Sequence, residues 1–117
     1  MNASNLYFGL GSVLYALTKI DGRLQLEEMQ TVKELLAQEP NGDAALYAFL
    51  VWAENDESML EAYNFGMRCL TNQPQSLDET TKKHFVNIMI RVANAHDDIS
   101  RKEREFIQRF RREIRRL

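Results

Sequence analysis

The chain has 117 residues, 44% of them apolar and 27% charged, a size and balance suited to one domain around a single buried core. With only five Gly and two Pro, disordered, collagen-like and linker-rich readings are excluded. A formal net charge of −2 and a pI near 5.7 argue against a general nucleic-acid binder.

Ala, Leu, Met, Glu, Gln, Lys and Arg fill 61 positions against 11 Val plus Ile, which predicts an all-α protein. In chain order, a first helix starts at Ser4 and places Leu6, Leu10, Val13, Leu14, Leu17 and Ile20 on one side. Tyr7, Phe8 and Tyr15 occupy its other flank, so it is expected to lie at the centre of the core or to meet a partner. Gly9 and Gly11 weaken a helix interior, and their presence predicts that another backbone comes close there. Asp21-Gly22 ends the helix, with Gly22 in a left-handed cap position. A second helix is expected from about Gln25 to Gln38, stopped by Pro40-Asn41-Gly42, with Leu24, Met29, Val32, Leu35 and Leu36 inward. Asp43 is expected to cap a third, carrying Leu46, Phe49, Leu50 and Ala53. Ser58 opens a fourth with Leu60, Tyr63, Phe65, Met67 and Leu70, closed by Pro74. Asp78 caps a fifth on Phe85, Ile88, Met89, Val92 and Ala95, and a sixth runs from Ser100 on Phe106, Ile107, Phe110, Ile114 and Leu117. Residues 1 to 18 carry no charge, yet they lack a basic leader and are too short and polar for a transmembrane segment, so none is expected.

A shift of 75 positions pairs Leu10 with Phe85, Val13 with Ile88, Leu17 with Val92, Leu24 with Ile99, Glu28 with Glu103, Val32 with Ile107 and Leu35 with Phe110. Each copy is a long apolar helix, a tight turn and an amphipathic helix, an αα-hairpin whose apolar faces need a partner. The predicted architecture is therefore a single domain over residues 1–117: a bundle of about six helices with two pseudo-repeated αα-hairpins packed together and residues 43 to 75 as a covering hairpin. Ser100 and Glu103 have the spacing of a capping box, which Gln25 and Glu28 repeat imperfectly. Asp21-Gly22-Arg23-Leu24 followed by Glu28, with its second copy near the C-terminus, resembles the TerB-like domains. This tellurite-resistance family includes the N-terminal domain of the DjlA co-chaperones. The second copy departs from the family pattern, with His96 in place of Asp and Asp97 in place of Gly. The resemblance implies an all-helical domain without established catalysis, links to stress response, and an association with divalent cations.

Two constellations stand out for function. The first is a metal site drawn from Asp21, Glu28, His96, Asp97, Asp98 and Glu103, assembled if the two turns face one another. Neither turn has the length or ligand density of an EF-hand, and one Cys with two His is too few for structural zinc. The plain alternative makes Asp21 and Asp97 turn residues and the two Glu helix caps. The second is the last helix: residues 101–117 carry eight Lys or Arg against three Glu, a net of +5, leaving −7 on the first 100. Arg104, Arg111, Arg112, Arg115 and Arg116 avoid its apolar stripe and would meet an acidic protein or an anionic surface. The alternative is a solvated face that favours the helix dipole.

No nucleophile elbow, phosphate loop or Cys-His pairing is present, so the chain reads as a non-enzyme without an obligate cofactor. His84 beside Lys82 and Lys83 reads as solvated surface, Trp52 as packing, and Met59, Met67 and Met89 as gap-fillers. The lone Cys69 in an apolar stripe favours a reducing compartment, the cytoplasm. Two functions follow: an interaction module using the aromatic flank of the first helix and the basic last helix, toward a protein partner or a homodimer, or a divalent-cation or metalloid stress protein using the acidic turns.

Overall fold

A computed structural model describes residues 3–22, 24, 26–72, 77–95 and 98–117, and among them six helices and no strand. They are α1 (Ala3–Lys19), α2 (Leu26–Leu36), α3 (Gly42–Glu54), α4 (Met59–Thr71), α5 (Glu79–Ala93) and α6 (Arg101–Arg115). Three begin where side chains satisfy the open backbone amides: Ser58 accepts from Glu61 N at 3.1 Å, Asp78 from Thr81 N at 2.8 Å and Ser100 from Glu103 N at 3.0 Å. The start of α3 differs from the expectation. Asp43 already lies inside the helix, where its Oδ1 accepts from the adjacent Ala44 N at 3.0 Å, and the cap position belongs to Asn41, whose side chain makes no capping bond. Gly22 follows α1 at a φ of 103°, the left-handed conformation its place after the helix calls for. Gln25 and Pro74, expected to mark helix ends, lie outside the described residues.

The axis of the molecule is α1, which touches every other helix and packs most extensively on α3 and α4. Small residues make this possible. A Cβ at Gly11 would stand 2.0 Å from the Ala45 carbonyl oxygen, and one at Gly9 would stand 2.9 Å from the Gly66 oxygen, so α3 and α4 meet α1 nearly backbone to backbone. The mid-chain hairpin is thus a principal partner of α1 rather than only a cover. Trp52 joins the seam by donating from Nε1 to Ser12 Oγ at 2.8 Å, while its ring lies near Tyr15 and Phe65. Tyr15 OH donates to the Glu57 carbonyl oxygen, and Lys19 pairs with Asp56.

Leu17 and Val92 are both completely buried in one core that also holds Val32, Phe85, Phe106 and Phe110, so the first and last hairpins share their apolar faces as the repeat predicts. Several details differ. Tyr7 and Tyr15 are buried, which removes the aromatic flank of α1 as a docking surface. Leu50, Leu60 and Phe65, expected to face inward, are exposed. Lys82 is buried rather than solvated, its Nζ donating to Glu79 Oε2 at 3.2 Å and to the Leu117 carbonyl oxygen at 3.1 Å. No described helix is long and apolar enough to cross a membrane.

Candidate functional site: the carboxyl pair between two turns

Both repeats place a glutamate at the third residue of the helix after the turn, Glu28 in α2 and Glu103 in α6. Packing the hairpins together brings these turns to one place. Ser100 Oγ lies 3.5 Å from Asp21 Oδ1 across the two copies, and Glu28 and Glu103 share a side-chain hydrogen bond. Both glutamates are nearly excluded from water, at 3% and 4% exposure. Glu103 is held from its own side as well: the Ser100 backbone N–H donates to its Oε1 at 3.0 Å, completing the capping box.

Two carboxyl groups facing each other in a dry setting cannot both ionise without a large electrostatic penalty. Burial pushes the Glu28 carboxyl up to about 9, and its hydrogen bond with Glu103 and the negative charges of Glu103, Asp21 and Glu27 add to the effect. Glu28 therefore keeps its proton near neutral pH and donates it toward Glu103. Its Oε1 is buried without a hydrogen-bond partner among the described residues. An orphaned buried oxygen of this kind carries a desolvation cost of roughly 1–3 kcal/mol, which a bound cation would remove.

Of the six residues expected to ligate a metal, the structure brings Glu28 and Glu103 together, with Asp21 exposed at the edge of the junction beside Ser100. Asp98 is exposed in the turn leading to Ser100. His96 and Asp97 lie outside the described residues. Among the described residues, no three His, Cys, Asp or Glu side chains converge closely enough to hold a metal by themselves. The donors that are present are carboxylate oxygens, which suit a hard cation of the magnesium or manganese type, one that takes one or two carboxylates and keeps water in its remaining positions.

The second predicted set lies along the exposed side of α6 and at its end. Arg104, Arg111, Arg112, Arg115 and Arg116 are all exposed, and among the described residues none has a carboxylate within ion-pair distance, whereas Arg101 and Arg109 pair with Glu105 and Glu113. Arg109 also lies over the Tyr63 ring, whose hydroxyl donates to Glu113. Sequence reasoning missed that Lys82, Lys83, Val86 and Ile90 of α5 combine with Arg111 and Ile114 of α6 to line a groove of about 360 Å³. Their recurrence at three- and four-residue steps was the available signal. It also missed Glu39, which accepts from Tyr7 OH at 3.2 Å and lies 2.9 Å from His84 Nε2. His84 is thereby tied to the end of α2.

A family model described as tellurite resistance protein TerB matches residues 8–115. The chain belongs to the TerB family. The match spans both turns, so this TerB-family chain carries the carboxyl pair within the family domain itself. No curated protein and no solved structure matched the chain.

Proposed function

We propose that this TerB-family chain is a non-enzymatic, cytoplasmic stress-response module in which the Glu28–Glu103 junction takes up a divalent cation in exchange for a proton. The observation that supports this reading is the buried Oε1 of Glu28, without a hydrogen-bond partner among the described residues, beside the Glu103 carboxyl group and near the exposed Asp21. Uptake would require Glu28 to lose its proton, so affinity rises with pH and binding releases a proton. Because the two glutamates come from different hairpins, a cation there would tie the halves of the bundle together. The stress role follows from the tellurite-resistance description of the family.

The test is a melting series with magnesium, manganese, calcium or zinc against chelator, at mildly acidic and mildly alkaline pH, on the wild type and Glu28→Gln. Occupancy at a hundredfold excess over Kd adds ~2.7 kcal/mol to stability. A rise in melting temperature that is larger at alkaline pH and absent in the variant is expected. Unchanged melting with every cation, or an equal rise in Glu28→Gln, overturns the reading.

The exposed row Arg104, Arg111, Arg112, Arg115 and Arg116, without an ion-pair partner among the described residues, favours a second reading, a protein-interaction module. Charge reversal at Arg104, Arg112 and Arg116 is expected to abolish capture of an acidic partner in pull-downs while leaving the fold intact. Undiminished capture would refute it.

A further inference from the structure

Two exposed surfaces of the bundle combine apolar side chains with charges of opposite sign. On α3, Asp43, Tyr47, Leu50, Val51 and Glu54 recur at helical spacing along one face. Tyr47 is 65% exposed, with its ring near Phe8, and Leu50 and Val51 are 37% and 40% exposed, so three apolar side chains are each partly open to water with a carboxylate at each end. The groove between α5 and α6 has the opposite character. Val86, Ile90 and Ile114 line its apolar part, and Lys83, Arg111 and Arg115 surround it as exposed cations with no carboxylate in ion-pair reach among the described residues, the one carboxylate on its lining being Glu79, which Lys82 engages. Lys82 is already engaged by Glu79 and Leu117 and is not available.

We propose that the α3 ridge of one copy docks in the α5–α6 groove of a second copy. Within one chain α3 packs on α1 and α2, and its ridge remains exposed, so the two surfaces do not satisfy each other internally. Between copies, apolar burial supplies the attraction, while Asp43 and Glu54 against Lys83, Arg111 and Arg115 set the orientation. The charge split along the chain, +5 on the last seventeen residues and −7 on the rest, steers the same encounter. The contact joins two different patches, so it is head-to-tail and leaves a free ridge at one end of each assembly and a free groove at the other. One helix ridge in one groove is a small interface, so the association is weak and strongly concentration-dependent. No residue of the carboxyl junction takes part, and the proposal stands apart from the cation reading.

Sedimentation of the full chain from low micromolar to millimolar concentration tests it, with two variants: Asp43→Lys with Glu54→Lys for the ridge, and Arg111→Glu with Arg115→Glu for the groove. The wild type is expected to grow beyond a dimer as concentration rises and to dissociate as salt is added. Each variant alone is expected to stay monomeric. Their equimolar mixture is expected to associate again, because the native ridge of one meets the native groove of the other and the reversed ridge faces a groove reversed to match. Helical content by circular dichroism checks folding, and Val51→Lys gives a second ridge variant with the same expected loss. A wild type that stays monomeric throughout, including one that retains only a foreign acidic partner, overturns the proposal. So does association that survives both charge reversals, or a mixture of folded variants that does not pair.

Discussion

Replacing Glu28 with Gln keeps the shape and the donor toward Glu103 but removes the titration. In the folded wild type this carboxyl releases its proton at about 9, far above the ordinary 4.5 of the unfolded chain. Across that window the folded state holds one more proton than the unfolded state, so the stability from this group is complete below the lower value and is lost as pH rises toward the higher one. The slope is about 1.4 kcal/mol per pH unit, so between about pH 6 and about pH 8 the loss is about 3 kcal/mol. With an unfolding entropy of about 2.1 cal/mol/K per residue, each kcal/mol moves the melting temperature of a chain this long by about 4 °C. Thermal melts followed by circular dichroism, in chelator to exclude cations, should therefore show the wild type falling by about 12 °C relative to Glu28→Gln over that interval. Subtracting the variant removes every other titration common to the two chains. Parallel melting profiles across the interval would refute the picture of a buried carboxyl holding its proton.

Gly11→Ala would place a methyl group 2.0 Å from the Ala45 carbonyl oxygen, and the resulting displacement of α3 is expected to cost about 1–3 kcal/mol in urea unfolding despite the better helix propensity of Ala; equal or greater stability would show that the helices do not approach as described. Ser100→Ala removes the cap accepted from Glu103 N and also the link to Asp21, with an expected loss of about 1 kcal/mol and faster amide exchange confined to the first turn of α6. Tyr63→Phe deletes the donor to Glu113, for which burial and that hydrogen bond hold the phenol above its usual range; a loss of about 1–2 kcal/mol is expected by chemical denaturation.

Helix positions were legible because periodicity and caps agreed, as at Ser58, Asp78 and Ser100. Asp43 misled because an acidic residue in a first helical turn carries the same local signal as one at the cap itself. The inward face of α3 was misjudged because Ala45, Ala48, Phe49, Leu50 and Val51 form an apolar band wider than the surface that α1 covers, and composition does not say which edge stays wet. The repeat foretold that Glu28 and Glu103 are equivalent, but not that they touch. Their contact depends on how the hairpins pack, a long-range property absent from either turn. Lys82 was misread for a related reason: its partner is the carbonyl of Leu117, thirty-five residues away.

The indole of Trp52 is the only one in the chain, and it bridges the first helix through Ser12 and the fourth through Phe65. Its emission therefore serves as a built-in optical gauge of whether the middle hairpin is seated. The phenylalanines that anchor the closing hairpin are silent at the same wavelengths. Following fluorescence and far-ultraviolet ellipticity on one sample would reveal whether the two sides of the bundle detach in a single event or one after the other, without any attached dye.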